Sequence, residues 1–306
     1  MLDDLGSVFH HFYDIGLTAF RAELAESAGS FNEGTLAAGL LLCTVGIVQG
    51  TPWTIHIDHL DDLFIAPQET IGFRNLSAYT SHAIEVAGVM DLPTYQLGRP
   101  LPCRHIWRRF RAYQANTNSL KPGVEPVSGL PRSLLDCFAR IEDPDSIDSF
   151  WLWPGELGES AQCLLWEAYR LAGVLVALRL HRTLNPTTAP VTKLWSVPDR
   201  TILVNRLIAN IDSVQRSVST PAESQLLVTN ALVYPVFVAG MHVTYMHRWP
   251  NWKQVVLDFF TISMANDKIN NTKHVLEILQ DAWAHDNHDF DFDDAAKRKG
   301  LEIALL

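Results

Sequence analysis

Cysteines are scarce and widely separated in this sequence. Four occur among 306 residues, namely Cys43, Cys103, Cys137 and Cys163. No Cys-x-x-Cys pair is present, so neither a zinc ribbon nor a six-cysteine binuclear zinc cluster can form from neighbouring residues. Because each cysteine lies in an apolar, helix-like context, we expect small buried side chains in a reducing compartment.

The signature motifs of common enzyme classes are also missing. No Gly-x-Ser-x-Gly, Gly-x-Gly-x-x-Gly or Walker sequence occurs, so nothing anchors a hydrolase, dinucleotide or nucleoside-triphosphate function. All-helical terpene cyclases hold magnesium through an Asp-rich motif and an Asn-Asp motif. Residues 61–65 end in Ile65 where an acid is required, and residues 266–274 place Asn270 and His274 at the other ligand positions. A degenerate cyclase-like enzyme is therefore only an alternative, and we expect no enzymatic activity.

Basic residues are outnumbered: 24 Lys and Arg against 34 Asp and Glu give a net charge of −10. Nucleic-acid binding needs clustered Lys and Arg, so this composition argues against direct DNA contact. One basic cluster does exist, at Arg104, Arg108, Arg109 and Arg111. We expect it to be the solvated face of a helix whose apolar face includes Phe110.

Long apolar runs and flexible linkers are absent as well. The apolar run 171–180 is interrupted by Arg179 and is well short of the ~20 residues of a membrane-spanning helix. No signal peptide begins the chain, so we expect a soluble, intracellular protein. The loops 116–129 and 185–198 are short enough to be surface connections, which predicts a single domain over residues 1–306.

Apolar residues recur at every third or fourth position, and this periodicity predicts helices almost everywhere. Strand-like alternation is rare. The sequence therefore predicts an all-α domain of stacked antiparallel helical hairpins, with about 10–12 helices. Besides the N-terminal helix and a hairpin at 35–62, the predicted helices span residues 68–89, 100–113, 131–141, 160–184, 202–218, 222–243, 252–266, 272–284 and 293–305.

The hairpin at residues 35–62 is the most informative segment. An uncharged apolar run stops at Gly50, and Thr51 followed by Pro52 is typical of a helix start, with Thr as N-cap and Pro as first helical residue. The second helix is amphipathic, which predicts one buried and one half-exposed helix.

This hairpin resembles the signature hairpin of the fungal-specific transcription factor domain family, the regulatory half of fungal zinc-cluster activators. The resemblance continues in register through most of the chain. Its further blocks are LPRSLL at 130–135, FWLWPGE at 150–156, QCLLWEAYRLAG at 162–173, YPVFVAG at 234–240, Trp283 and KGLEIALL at 299–306.

The resemblance implies a nuclear regulator that can shuttle with the cytoplasm and that controls transcription through ligand binding, dimerisation or contacts with the transcription machinery. It also implies that zinc belongs to a cluster preceding Met1 in a longer parent protein, with no cofactor in this chain. Exposed apolar positions on the 202–218 helix are the expected seam of a homodimer. A free-standing helical interaction module without DNA binding is the alternative.

Two segments could hold a metal. His56 and His59 lie three residues apart beside Asp58, Asp61 and Asp62, but no partner helix with further ligands is evident. We expect His56 to pack near Trp53, and His59 and the aspartates to face water.

The acidic segment 285–294 has the other set of candidate ligands. Asp289, Asp291 and Asp293 have the spacing of calcium-loop ligands, but Asp294 stands where Gly is needed and Gly300 where Glu is needed. We expect a solvated loop whose last acids favour the N-terminus of the final helix, and no metal in this chain.

Aromatic residues exceed what a minimal core needs, and aromatic side chains also line small-molecule pockets. Pro235 lies inside the predicted helix 222–243 and should kink it. The kink would open an apolar cavity for a lipophilic effector. The predicted ligand-binding residues are Trp166, Tyr169, Tyr234, Phe237 and Met241.

Overall fold

Helices form nearly all the regular structure. The computed structural model describes residues 2–26, 32–66, 76–184, 197–217, 231–266, 270–285 and 290–305, with side chains from residue 11 onward. The helices in these ranges are α1 (Leu2–Glu26), α2 (Glu33–Gln49), α3 (Thr54–Leu60, continued by a π-helical turn Asp61–Ile65), α4 (Ala78–Met90), α5 (Ile106–Asn116), α6 (Arg132–Phe138), α7 (Ser146–Trp151), α8 (Ser160–Leu184), α9 (Arg200–Ser217), α10 (Val233–Gly240), α11 (Val243–Arg248), α12 (Pro250–Asn266), α13 (Asn270–His285) and α14 (Phe292–Arg298). Two short strands, β1 (Gln96–Leu97) and β2 (Ile303–Ala304), pair antiparallel. The predicted all-α class is confirmed.

The helical hairpin forms as the sequence predicts, except at the start of α3. Gly50 ends α2 in the left-handed conformation with φ 70°, which glycine adopts without strain. Two glycines of α2 allow close packing, because a Cβ at Gly39 would meet Leu60 and one at Gly46 would meet Trp53. The prediction that Thr51 caps α3 is wrong, since α3 begins at Thr54.

The last predicted helix, 293–305, is also wrong in its second half. Helix α14 ends at Arg298, and Gly300 follows with φ 66°. The chain then becomes extended: Leu305 N–H donates to the Tyr95 carbonyl at 2.8 Å. The side chain of Asn271 on α13 bonds both the N–H and the carbonyl of Ala304. These contacts replace the helical hydrogen bonds that periodicity alone favoured.

Helix α8 is the central element and has the bounds that the sequence predicts. Its residues 171–177 are all buried, so the apolar run is a core helix. It packs against α7, α9 and α10. In the described ranges, no helix combines the length and apolarity needed to cross a membrane.

The described ranges contain more helices than the sequence predicts, because the short helices α7 and α11 have no clear apolar period. Helix α7 was not predicted, and the predicted helix 222–243 corresponds to α10, which is followed by a break and then by α11. Pro235 lies in the first turn of α10, where its missing N–H costs no hydrogen bond. The predicted kink is therefore wrong. Residues 222–230, and 68–75 of the helix predicted at 68–89, lie outside the described ranges.

The basic cluster on α5 and just before it is paired with acids rather than simply solvated. Arg104 binds Asp58 and Asp62, and Arg109 binds Asp61. Arg108 pairs with Asp143, and Arg111 with Asp136. Asp58 and Asp61 are only 3% and 2% exposed, so the expectation that they face water is wrong. These pairs attach α5 to the hairpin and to the segment that follows it.

Cysteine burial follows the expectation only in part. Cys43 is buried, Cys103 and Cys137 are half-buried, and Cys163 is exposed. The expectation is wrong for Cys163, which lies in the exposed first turn of α8.

Candidate functional site

A cleft lies beside α10, where the sequence predicts ligand-binding aromatic residues. Its volume is about 640 Å³, within the usual range of roughly 300–1,000 Å³ for small-molecule sites. Tyr234, Phe237, Val238 and Met241 of α10 form one wall. The remaining lining comes from the segment 94–97, from α8, from Arg200 at the start of α9, and from the start of α14.

The apolar wall is held by aromatic packing. The Phe237 ring meets the Phe292 ring edge-to-face, with 5.4 Å between centroids. The Tyr234 ring stacks on Tyr169 at 5.6 Å, and its hydroxyl lies 3.0 Å from the Thr94 hydroxyl. The wall is therefore fixed by the core behind it.

The part of the cleft lining around His242, the charged end, is rich in positive charge. Arg179 and Arg182, one helical turn apart on α8, line it together with Arg200. His242, at the end of α10, lines the same space. Burial, together with the nearby charges of Arg200 and Arg179, lowers the pKa of His242 to about 3, so the imidazole is neutral at physiological pH.

Carboxylates occupy the side formed by α14, and hydrogen bonds engage them. Asp291 caps α14 by accepting from the Asp294 N–H at 2.9 Å. Asp293 accepts from the Gly98 N–H at 2.7 Å and pairs with Lys297 at 2.7 Å. The expected role of these acids at the last helix is confirmed, whereas Asp289 lies outside the described residues.

Three of the five predicted ligand-binding residues line the cleft and two lie behind it, with Tyr169 stacked on Tyr234 across the boundary. Tyr234, Phe237 and Met241 line the cleft. Trp166 and Tyr169 lie in the core: Trp166 donates to the Gly129 carbonyl at 2.9 Å, and Tyr169 donates to the Ala231 carbonyl at 2.7 Å. Ligand contact by the three lining residues stays a prediction.

Sequence reasoning missed the charged part of the cleft. Arg179 entered only as an interruption of an apolar run, and Arg182 and Arg200 were not considered. The spacing of Arg179 and Arg182 was an available signal, because residues three apart share a helix face. Arg200 comes from a separate helix, and periodicity cannot place it.

The histidine pair on α3 does not form a metal site with its neighbours. His56 is buried against Phe20, with ring centroids 6.3 Å apart. Burial, with smaller effects from His59 and Arg21, lowers the pKa of His56 to about 4. Asp58 and Asp61 are bound to arginines, as described above. Across the described residues, no group of three or more His, Cys, Asp or Glu side chains is placed to hold a metal ion.

Comparison with known protein families gives a match to the second half of the chain. The profile of a family described as fungal specific transcription factor domain matches residues 142–306, more than half of the chain. Neither curated proteins nor solved structures give a significant match. The matched range contains most of the resembling blocks and nearly all of the cleft wall, while the hairpin at 35–62 precedes it. The chain belongs to the fungal-specific transcription factor domain family.

Proposed function

We propose that this chain is the effector-sensing domain of a nuclear fungal zinc-cluster transcription factor. The family is one of transcription factors, and the observation that supports sensing is the cleft beside α10. A preformed space of about 640 Å³ with a fixed apolar wall and several polar and charged side chains has the features of a small-molecule site.

DNA contact belongs, in this proposal, to a separate zinc cluster, and this domain transmits its state to the transcription machinery. We also propose a homodimer. The described part of α9 cannot supply the expected dimer interface by itself. Its large apolar side chains other than Ile202 are buried in the core. Sedimentation of the chain at micromolar concentration tests self-association directly.

The experiment for effector sensing fills the cleft. The chain is fused to a heterologous DNA-binding domain and expressed in a fungal reporter strain, either native or with Met241→Trp. Met241 lines the cleft and is half-buried, so indole can occupy the ligand's space without disrupting the core. We expect Met241→Trp to change reporter output at unchanged protein level.

The matched control is Met264→Trp on α12. Met264 is 37% exposed and does not line the cleft, so its substitution should leave reporter output unchanged. Equal outputs from native chain and Met241→Trp would contradict effector sensing at this cleft.

Ligand binding to the native chain can also be measured as a rise in Tm. A ligand at about a hundred times its Kd adds about 2.7 kcal/mol, or about 4 °C for a chain of this length.

A further inference from the structure

The arginines at the end of the cleft differ in how they are engaged. Arg179 donates to the Phe290 carbonyl at 3.0 Å and lies 5.2 Å from the Phe292 ring centroid. Arg182 and Arg200 also line the cleft, but within the described residues no carboxylate lies in salt-bridge range of either. Two guanidinium groups therefore line one space without a described salt-bridge partner, although the nearby Asp199 carboxylate interacts electrostatically with Arg200.

The acid next to Arg200 in sequence and the two acids of the cleft lining form other hydrogen bonds. Asp199, adjacent to Arg200 in sequence, accepts from the Thr201 N–H at 2.8 Å at the start of α9. Asp291 and Asp293 bind α14, the Gly98 N–H and Lys297. Moving any of them onto the arginines would break an existing cap or ion pair.

The other lining group near the arginines adds no charge of its own. His242 is neutral near pH 7, as its lowered pKa shows. The lining holds three guanidinium groups against the carboxylates of Asp291 and Asp293, and Asp293 is already paired with Lys297. This balance favours a negatively charged group from outside the chain. Guanidinium also matches carboxylate geometry, because it can donate two parallel hydrogen bonds.

An apolar wall adjoins this charged end. Phe237, Met241 and Phe292 lie on the same cleft, and aromatic and thioether side chains bind apolar groups of varied shape. A ligand that fits both parts has an acidic head and an apolar body. The sequence alone predicts an apolar cavity for a lipophilic effector. The arginines add a charged part to that cavity, and the lipophilic effector stays a prediction.

We propose that the cleft binds an organic acid, with its carboxylate on Arg182 and Arg200 and its apolar body against Phe237 and Met241. This inference rests on the proposed effector-sensing function, because it names the chemical class of the effector. The inference goes further than the proposed function, because it requires the cleft to recognise a negative charge and not only to hold a ligand.

The test compares acids with neutral amides of the same shape. Titration calorimetry is carried out on the full chain with two matched pairs, dodecanoic acid and dodecanamide, and 2-naphthoic acid and 2-naphthamide. The two pairs cover a flexible and a flat apolar body. We expect at least one acid to bind about tenfold or more tightly than its amide, since a hydrogen bond to a charged group is worth about one order of magnitude in affinity. Added salt should weaken the acid and leave the amide unchanged.

Three variants locate the carboxylate. Arg182→Gln and Arg200→Gln should each reduce acid affinity about tenfold and leave amide affinity unchanged. Arg206→Gln is the control, because Arg206 is on α9 but exposed and outside the cleft lining. It should behave as the native chain. Circular dichroism confirms that all three variants are folded.

The outcomes separate this inference from the proposed function. If acid and amide bind equally and Met241→Trp abolishes both, the cleft is a ligand site but the charge recognition is refuted. If the acids bind better but Arg182→Gln and Arg200→Gln have no more effect than Arg206→Gln, the assignment to these arginines is refuted. If neither pair binds and Met241→Trp leaves reporter output unchanged, both the inference and effector sensing at the cleft fail.

Discussion

Replacing Glu302 by alanine should destabilise the fold more than any single substitution on the surface. Glu302 is 1% exposed and is followed by four residues in the sequence. Its carboxylate accepts from the Trp53 N–H at 2.6 Å, the Thr54 N–H at 3.3 Å and the Thr54 hydroxyl. It thereby caps α3, a helix whose preceding residue offers no side-chain cap. Two segments 248 residues apart are joined by one side chain.

The size of the effect follows from the groups left behind. Glu302→Ala leaves two N–H groups and one hydroxyl buried, and each unsatisfied donor costs about 1–3 kcal/mol. Loss of a helix cap costs about 1 kcal/mol in its own right. Allowing for partial relaxation, we expect a loss of about 4 kcal/mol, a large share of the roughly 5–15 kcal/mol that stabilises a typical domain. Glu302→Gln keeps one acceptor oxygen and can donate to the Thr54 hydroxyl, so it should cost about 1 kcal/mol at neutral pH.

The assay is urea unfolding followed by circular dichroism, with Glu142→Ala as the control. Glu142 is exposed, and its loss should change the free energy of unfolding by less than about 0.5 kcal/mol. A Glu302→Ala value no larger than the control would refute the capping role.

The pH dependence of stability in the native chain and in Glu302→Gln provides a second check. Burial raises the pKa of Glu302 above its ordinary 4.5, and hydrogen bonds from Thr54 and Trp53 oppose that rise. Since the folded state then holds the proton more tightly, the contribution of Glu302 to stability is greatest below 4.5 and declines as the pH rises through the raised pKa. Gln does not titrate. Glu302→Gln should therefore cost more near pH 4 than near pH 7, and the opposite trend would contradict this account.

Two further substitutions test the packing of the N-terminal half. Gly98→Ala should lower the free energy of unfolding by at least about 3 kcal/mol, because φ is 79° and a Cβ would lie 2.1 Å from the Leu301 carbonyl oxygen. Gly123→Ala is the control, since Gly123 has the same φ but open space around it. Equal losses for the two variants in urea unfolding would exclude the clash. Arg132→Met should cost about 3–5 kcal/mol, because it leaves the 1%-exposed Glu85 without its partner at 2.9 Å. Adding Glu85→Gln should recover part of that loss, and no recovery in the double variant would contradict the pairing.

Periodicity predicted the parts of the fold that local rules determine. Helix α8 has its predicted bounds, Gly50 ends α2, and α13 and α12 start within two residues of the expected positions. In each case an apolar face, a cap or a glycine lies within the element itself. Such signals need no knowledge of the rest of the chain.

The wrong predictions concern features that depend on residues far away in the sequence. The start of α3 depends on Glu302, the extended end of the chain depends on Asn271 and Tyr95, and the burial of Asp58 depends on Arg99 and Arg104. Each partner is distant in sequence, so a local pattern cannot reveal it. The same reason explains why the aromatic wall of the cleft could be predicted from α10 but its charged end could not.

The position of the cleft matters for how an effector could act. A ligand shifts an equilibrium only if it binds two arrangements of the protein unequally. Tyr234 lines the cleft and lies in hydrogen-bonding distance of Thr94, and Asp293 lines it and accepts from the Gly98 N–H. The segment 94–98 is therefore held by two residues that line the cleft. Through β1 it pairs with β2, next to the Glu302 cap of α3. A chain of direct contacts thus connects the cleft with the N-terminal hairpin.

A substitution at Glu302 should weaken this chain of contacts. It should therefore change the reporter response to a cleft-binding acid more than an equally destabilising substitution remote from these contacts. Equal responses would show that the hairpin plays no part in sensing.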